Sequence, residues 1–382
     1  MKQYTILGGG IAGLTAAIAL KQKGMQVTVF EAAAEIKPLG AGLLLAANAV
    51  KGYERLGIAE KIITRGRLLP TFSILDQQGR VITSADAEKI GQKYGLHNFA
   101  IHRAELHTAL LAELEPDQVQ TGKRVTGFEH LNDGTIELHF SDDSTHRTDV
   151  LIVAEGIHSA IRRQLLPESE PRYAGYTCWR AVIDTPSALT GLSVASETWG
   201  TDGRFGIVPL AGDKIYWFAC INARQNDPLL RDYKVVDLQR VLQHFHQPVR
   251  TILENTRDAD LIWNDIIDLK PIRRFAFGNI VLIGDAAHAT TPNMGQGACQ
   301  AIEDAVVLAD ELVKHADPVI AFIAFERRRL ERARFVVNNS WRLGKIAQLS
   351  QPWLVALRDA LFRLVPESMN EQQMRALLEV DF

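Results

Sequence analysis

Three glycines near the start of the chain, Gly8, Gly10 and Gly13, stand in the spacing G-x-G-x-x-G. They follow the strand-like run YTIL and precede a helical pattern rich in Ala and Leu. In this context the first glycine permits a tight turn, the second lets a pyrophosphate approach the backbone, and the third lets helix and strand pack. Glu31 ends the next strand-like run, QVTVFE, near the spacing expected for an acid that binds a ribose hydroxyl. The segment predicts a dinucleotide site, and the motif alone allows FAD or NAD.

A second glycine-containing loop, GDAAHATTPNMGQGA at 284–298, separates the apolar run NIVLIG from a long helical pattern. Asp285 is expected at the end of a strand, where its carboxylate can accept from hydroxyl groups of a ligand. Gly284, Gly295 and Gly297 would keep Cβ atoms away from a flat ring, and the next helix N-terminus favours negative charge there. A plain capped turn would explain the Pro-Asn step but not the acid or the glycine density.

Other reactive side chains carry weaker signals. His288 has no nucleophile or metal-like partner in the sequence, so it is expected to pack or hydrogen-bond within its loop. Cys178, Cys220 and Cys299 lie far apart in sequence without metal-ligand spacing. We therefore expect no metal site and interpret the cysteines as reduced core thiols of a cytoplasmic protein. Arg103 opens a helical pattern, where the helix dipole disfavours a cation, so a ligand phosphate or ribose is a reasonable partner.

The elements that must position these residues fall into two patterns. Strand-like and helical runs alternate near both glycine loops, which predicts a Rossmann-like α/β unit. Residues 173–265 instead contain short strand-like runs such as YTCWRAVI and KIYWFACI between Gly and Asp turns, as in an antiparallel sheet. That segment also holds four of the six tryptophans, which mostly indicates aromatic packing of the sheet.

Bulk composition excludes several classes of protein. The chain has 382 residues, 47% hydrophobic and 23% charged, the profile of a soluble globular protein. A formal net charge of -3 gives no reason to expect nucleic acid as a partner. No run approaches the ~20 apolar residues of a membrane span, so no integral membrane segment is expected.

These motifs together resemble the class A flavoprotein monooxygenases of the p-hydroxybenzoate hydroxylase type. The resemblance covers nearly the whole chain and rests on GGGIAG with Glu31, HRAEL with Arg103, VAEGIHSAIR and GDAAHATTPNMGQGACQAIEDA. It implies bound FAD, with NADH or NADPH and molecular oxygen as co-substrates. It also implies hydroxylation of an electron-rich aromatic or heteroaromatic small molecule through a C4a-hydroperoxyflavin.

The resemblance assigns roles to particular residues. Glu155 stands where the family's DG motif normally has Asp, so its carboxylate reaches one methylene further. The cofactor-binding residues that the resemblance implies are Gly8, Gly10, Gly13, Glu31, Arg103, Val125, Glu155, Asp285, Gly295, Gly297 and Ala298.

Within the family, the segments RYAGYTCW and GRFGIVPLAGDKIYWF are most similar to bacterial FAD-dependent urate hydroxylases. Arg204 and Tyr216 stand where that branch has its substrate-site Arg and Tyr, so urate is the leading substrate. Asn293 stands where an acid is expected. The alternatives are a salicylate-hydroxylase-like or other phenolic or antibiotic monooxygenase and, from a different class, a flavin oxidase or dehydrogenase.

The predicted architecture is a discontinuous Rossmann-like FAD-binding domain with an inserted antiparallel substrate domain and C-terminal helices. We assign 1–70, 98–172 and 266–330 to the FAD-binding domain, 71–97 and 173–265 to the substrate domain, and 331–382 to the helical region. An amphipathic run near the C-terminus, WLVALRDALFRLV, is expected to dock on the body of the protein or on another subunit. The chain is expected to be a monomer or a homodimer.

Overall fold

The computed structural model describes residues 2–36, 41–86, 98–365, 375, 377–380 and 382. In chain order the strands are β1 (Tyr4–Leu7), β2 (Val27–Phe30), β3 (Gly42–Leu45), β4 (Arg67–Leu68), β5 (Thr71–Asp76), β6 (Val81–Asp86), β7 (Phe99–His102), β8 (Val119–Gln120), β9 (Val125–His130), β10 (Ile136–Phe140), β11 (Thr145–Thr148), β12 (Val150–Val153), β13 (Pro171–Asp184), β14 (Ala195–Trp199), β15 (Arg204–Leu210), β16 (Lys214–Asn222), β17 (Ile262–Leu269), β18 (Ala276–Phe277) and β19 (Ile280–Leu282). The α-helices are α1 (Ile11–Gln22), α2 (Ala47–Arg55), α3 (Ala59–Ile63), α4 (Arg103–Leu111), α5 (Ala160–Leu165), α6 (Pro228–Arg231), α7 (Val235–Val241), α8 (Gln247–Glu254), α9 (Asp285–His288), α10 (Gly297–Lys314), α11 (Pro318–Ala347) and α12 (Pro352–Arg363).

A six-stranded sheet in the order β18-β19-β12-β1-β2-β8 forms the first layer. Its inner neighbours are parallel and only the β18–β19 edge pair is antiparallel. The strands β1 and β12 are buried along their whole length, as expected for a parallel sheet covered on both faces. Together with α1 and α10, this sheet confirms the Rossmann-like α/β unit.

A seven-stranded sheet in the order β17-β13-β16-β15-β14-β5-β6 forms the second layer. The antiparallel pattern predicted for 173–265 is confirmed, but β14 pairs with β5 in parallel. Strands from 71–86 thus extend the sheet formed by 173–265, while the remainder of the predicted 71–97 segment lies outside the described residues. The domain boundaries themselves stay predictions.

The two faces of this second sheet have different partners, because side chains alternate along each strand. One face packs Trp179, Phe205 and Trp217 against the helices α7 and α8. The rings of Phe205 and Trp217 stack with centroids 5.2 Å apart, as expected for a sheet packed by aromatics. The other face, called here the inner sheet face, carries Cys178, Arg180, Val182, Glu197, Arg204, Gly206, Tyr216, Phe218 and Cys220.

The C-terminal helices cross the end of the inner sheet face. Helix α11 brings Ser340 and Gly344 against the loop that precedes α10. Helix α12 turns Arg358 and Asp359 inward and leaves Trp353, Leu357, Leu361 and Leu364 exposed. Among the described helices, none combines the length and the apolar character that a membrane span requires.

Candidate active site

Each of the three motif glycines, Gly8, Gly10 and Gly13, has a different environment in the turn before α1. A Cβ on Gly8, which has φ +106°, would lie 2.3 Å from the Ala154 carbonyl oxygen, so this turn admits only glycine. A Cβ on Gly13 would lie 1.9 Å from the Gly8 carbonyl oxygen, so glycine is needed for α1 to pack on the turn. A Cβ on Gly10 would meet no heavy atom within 4 Å. The open space beside Gly10, at the N-terminus of α1, fits a pyrophosphate group.

Glu31 is held at the edge of this space by backbone donors. Its Oε2 accepts from the Gly9 amide at 2.7 Å, and its Oε1 accepts from the Ala33 amide at 2.7 Å. The orientation of this carboxylate is therefore fixed by the loop, as a ribose-binding acid requires. His107, one helical turn after Arg103, lies with Nε2 2.5 Å from the Gly9 carbonyl oxygen. Sequence reasoning missed His107, although its i,i+4 spacing from Arg103 could have indicated a shared helix face.

Asp285 lies at the opposite side of the cleft. Strand β19 ends at Leu282, so Asp285 is the first residue of the short helix α9 and not the end of a strand, which corrects the sequence prediction. Its side chain is exposed within a recess. Enclosure by surrounding protein raises the pKa of Asp285, while the nearby charges of His288 and Arg103 oppose that rise. Arg103 is exposed at the start of α4, so two predicted cofactor residues from distant segments meet here.

The N-terminus of α10 borders the same cleft. Gly295 adopts a left-handed conformation with φ +62°, and α10 begins at Gly297, next to the half-buried Ala298. A Cβ on Gly295 would lie 4.0 Å from the Leu44 Cβ, so the backbone there is uncrowded. Gly284 has another role than predicted, because its Cβ would lie 2.7 Å from the Ala12 Cβ. It allows α9 to pack on α1 instead of opening space for a ring.

Beneath this loop lies a buried cluster of charges, the α10–α11 ion network, formed by His288, Glu303, Asp304, Arg329 and Arg332. Asp304 accepts from His288 Nε2 at 2.6 Å, from Arg329 Nε at 2.6 Å and from the Gly284 amide at 2.8 Å. Arg329 and Arg332 both pair with Glu303. His288 is therefore a structural hydrogen-bonding residue, as the sequence predicts.

Two other predicted cofactor residues occupy less exposed positions. Val125 begins β9 and is buried. The Glu155 carboxylate accepts from the Ser159 hydroxyl at 2.6 Å and the Ile161 amide at 3.3 Å, so it caps α5. Burial raises the pKa of Glu155, against the effect of these donors. The extra methylene of Glu over Asp thus places the carboxylate on the helix start, and its contact with a cofactor stays a prediction.

The inner sheet face adjoins β3, the strand that carries Gly42 and Leu44. A Cβ on Gly42 would lie 2.6 Å from the Tyr216 ring, so glycine is needed here for the ring to pack against the β3 backbone. Leu44, which neighbours Gly295, packs in the same cluster as Tyr216 and Val182. Burial raises the pKa of the Tyr216 phenol, so it stays neutral and serves as a hydrogen-bonding group.

Arg204 is buried and already has partners. Its Nη1 donates to Glu197 Oε1 at 2.9 Å and its Nε donates to Gln348 Oε1 at 2.8 Å. The guanidinium also lies 5.2 Å from the centroid of the Tyr176 ring. The predicted substrate residue is thus a member of a buried ion pair at the border between the sheet and α11.

Arg180 differs from Arg204. It is half-buried on the inner sheet face, and its Nε is buried without a hydrogen-bond partner. Among the described residues no carboxylate forms an ion pair with it, and its nearest electrostatic partners are Cys178 and Tyr216. Sequence reasoning missed Arg180, although the alternation in C-W-R-A-V places it opposite the core-facing Trp179. An arginine without an acid in such a position is poised to bind an oxygen of a ligand.

Asn293, at the position where an acid was expected, is fully engaged. Its Oδ1 accepts from the Tyr176 hydroxyl at 3.1 Å. Its Nδ2 donates to Thr291 Oγ1 at 2.9 Å and to the Ser340 carbonyl oxygen at 3.0 Å. The site therefore offers no proton acceptor at this position.

Comparison with known proteins agrees with this geometry. Residues 2–340 match the family described as FAD binding domain. Aurachin C monooxygenase/isomerase of Stigmatella aurantiaca is 36% identical over 98% of this chain and 97% of its own length. The 2-heptyl-3-hydroxy-4(1H)-quinolone synthase of Pseudomonas aeruginosa is 33% identical over 96% of this chain and 95% of its own.

Klebsiella pneumoniae provides a further relative and a solved structure. Its FAD-dependent urate hydroxylase is 33% identical over 93% of this chain and 94% of its own. The crystal structure of HpxO from the same organism, complexed with FAD and uric acid, matches with a TM-score of 0.92 at 30% identity. That match covers 99% of this chain and 96% of the HpxO chain.

Proposed function

Because this chain belongs to the FAD binding domain family and is an FAD-dependent monooxygenase, we propose that it hydroxylates a planar nitrogen heteroaromatic ring that carries oxygen. Electrons come from NADH or NADPH, and the inserted atom comes from molecular oxygen. The observation that carries the proposal is Arg180, a guanidinium without a carboxylate that faces the site beside a neutral phenol. A ring oxygen with partial or full negative charge satisfies both groups.

In this proposal the cleft residues would hold FAD, which would supply electron transfer from the reduced nicotinamide and the activation of oxygen. The N-terminus of α1 beside Gly10 binds the pyrophosphate, and Glu31 binds the adenosine ribose. Asp285 accepts from the ribityl hydroxyls. The N-terminus of α10 at Gly297 stabilises negative charge on the adjoining ring edge.

The inner sheet face holds the substrate. Arg180 donates to a substrate oxygen, and Tyr216 hydrogen-bonds the ring from beside Gly42. Arg204 contributes positive charge, although Glu197 and Gln348 take up two of its nitrogens. Aromatic side chains such as Phe218 and Trp341 pack beside Cys178 and exclude water from the ring.

Two ring systems fit this chemistry. Urate is the leading candidate, because HpxO with uric acid is similar along nearly the whole chain. A 4(1H)-quinolone is the second candidate, and Asn293 favours it. The Asn293 amide cannot remove a proton, and a quinolone carries an electron-rich carbon beside its carbonyl without prior ionisation. The relative from P. aeruginosa is named for a 3-hydroxylated quinolone.

The test is NADH and NADPH consumption by the FAD-loaded protein with urate, with 2-heptyl-4(1H)-quinolone, and without substrate. We expect one ring to stimulate consumption and to gain one oxygen atom from ¹⁸O₂, seen by mass spectrometry. Stimulation by urate together with urate loss would favour the first candidate. Stimulation by salicylate or another phenol alone would show that the substrate is not a nitrogen heterocycle. The proposal is also wrong if none of these compounds stimulates consumption with either nucleotide. Flavin reduction by an amine or alcohol without nicotinamide would then indicate an oxidase or dehydrogenase.

A further inference from the structure

Cys178 and Cys220 are 42 positions apart in sequence but directly opposite each other in the sheet. Strands β13 and β16 pair in antiparallel register with Cys178 facing Cys220. Opposed residues in such a pair have Cα atoms about 4.5 to 5.5 Å apart, within the range of about 4.4 to 6.8 Å that a disulfide spans. Both cysteines are free and buried. The Cys178 thiol donates to the Trp179 carbonyl oxygen at 3.4 Å.

The surroundings of the pair favour a thiolate. Arg204 is the next residue in the same row across the sheet, opposite Cys220. Arg180 lies two residues along β13 on the same face. The neighbouring Cys220 thiol and the positive charges of Arg180 and Arg204 outweigh burial and lower the pKa of Cys178. The other groups that face the pair are Tyr176 on β13 itself and Glu197 and Tyr216 on neighbouring strands.

Cys299 provides the contrast within the same chain. It is buried in α10, with the Ala46 amide 3.5 Å from its sulfur. Burial raises the pKa of Cys299 to about 12. Cys299 lies in a helix and takes no part in the strand pairing of Cys178 with Cys220, so its thiol serves as an internal control.

We propose that Cys178 and Cys220 form an oxidisable dithiol on the inner sheet face. Hydrogen peroxide converts this dithiol to a disulfide. The Cys178 thiolate attacks one peroxide oxygen, which breaks the O–O bond and releases hydroxide that takes up a proton as water. Cys220 then attacks the Cys178 sulfur, forms the S–S bond, and displaces the hydroxyl as a second water. Peroxide is reduced, two thiols are oxidised, and no other reactant is required.

The location makes peroxide a relevant oxidant. A monooxygenase that reduces oxygen without a substrate in place releases hydrogen peroxide at the site itself. The dithiol lies on the inner sheet face, which also carries Arg180. Disulfide formation would therefore remove the Cys178 thiolate, whose negative charge acts on that guanidinium. The proposal concerns thiol chemistry and does not depend on which ring is the substrate.

The test uses the full-length wild-type protein and counts thiols after denaturation. We expect three titratable thiols to fall to one after exposure to hydrogen peroxide and to return to three with dithiothreitol. Peptide mass spectrometry should show the 178 and 220 peptides joined with the loss of two hydrogen atoms. A second arm supplies NADH and oxygen without substrate, and catalase should suppress the same loss.

Variants separate the pair from a general effect of peroxide. In Cys299→Ala the count should fall from two to zero, whereas in Cys178→Ser no disulfide should form within the chain. Three surviving thiols in the wild type, or a bond that includes Cys299, would overturn the proposal.

Discussion

The α10–α11 ion network and the inner sheet face are both buried and both charged, but they balance charge differently. In the network, Asp304 is bound by His288 and Arg329, and Glu303 is bound by Arg329 and Arg332. Each carboxylate of the network therefore has cationic partners and further polar donors.

On the inner sheet face, Arg204 pairs with a carboxylate, whereas Arg180 has no carboxylate partner in the part of the chain that the structure describes. Arg204 is paired with Glu197, whereas Arg180 has a buried Nε without a partner. A buried charge without its partner costs several kcal/mol, so it persists only where something else compensates. The network therefore satisfies its own charges and fixes the loop that precedes α10, whereas Arg180 on the inner sheet face is the group for which we propose a ligand.

The largest effect is expected from Arg329→Met, which leaves Glu303 and Asp304 buried with too few cations. Breaking such a network should reduce the free energy of unfolding by about 3–5 kcal/mol, measured by urea denaturation. The matched control is Arg334→Met in the same helix, because Arg334 pairs with Glu331 on the surface. That control should change stability by less than about 1 kcal/mol. Equal losses of unfolding free energy in Arg329→Met and Arg334→Met would contradict the distinction between the buried network and a surface ion pair.

Asp285→Ala tests the cleft between the two regions. Loss of a charged acceptor should weaken FAD binding by about 1.5–3 kcal/mol, or roughly 10- to 150-fold in Kd. Flavin fluorescence titration measures this value, and circular dichroism shows whether the fold is kept. Asp184→Ala, which removes an exposed carboxylate, should leave flavin affinity unchanged. Unchanged affinity in Asp285→Ala would show that this carboxylate does not hold the cofactor.

Arg180→Met and Arg204→Met should separate binding from stability on the same face. We expect Arg180→Met to reduce stability less than Arg204→Met, because no carboxylate among the described residues loses an ion-pair partner. It should nevertheless lower kcat/KM by roughly 10- to 100-fold, the loss of a charge-assisted hydrogen bond. Arg204→Met should destabilise the protein, since Glu197 is left buried. It should also weaken substrate-stimulated turnover while bound flavin is retained. If Arg180→Met is as destabilising as Arg204→Met, the guanidinium is structural.

The smallest effect is the acid sensitivity of the network. Burial alone would raise the pKa of Asp304, but the charges of His288 and Arg329 outweigh it and lower the pKa to about 2. A carboxylate with a lowered folded-state pKa stabilises the protein fully at pH values above its ordinary pKa, near 4. This contribution to stability is lost as the pH falls towards 2. The loss should be about 2 kcal/mol, measured by urea denaturation across that pH window. A flat profile in the wild type would show that Asp304 does not titrate in this way.

The cofactor side of the molecule was largely predictable because its signals are local. Gly8, Gly10 and Gly13 act within one strand–turn–helix unit, so their spacing alone indicates which backbone must turn, open or pack. The loop at 284–298 likewise joins one strand to one helix. Even here, contacts with distant segments changed details. Gly284 packs on Ala12, Glu155 caps α5, and Asp285 opens a helix instead of ending a strand.

The α/β fold, the family and the use of FAD could be read from the sequence, because their signals are glycine spacing and short-range periodicity. The arrangement of charges and thiols on the inner sheet face depends on tertiary contacts. Strand register brings Cys178 opposite Cys220, and helix α11 supplies the loop contacts that occupy Asn293. Tertiary contacts also determine which arginine has a carboxylate. Glu197 and Arg204 meet across the β14–β15 pair, while Arg180 forms no ion pair with any acid that the structure describes. Such pairings depend on which side chains share a buried face, and spacing along the chain does not specify that.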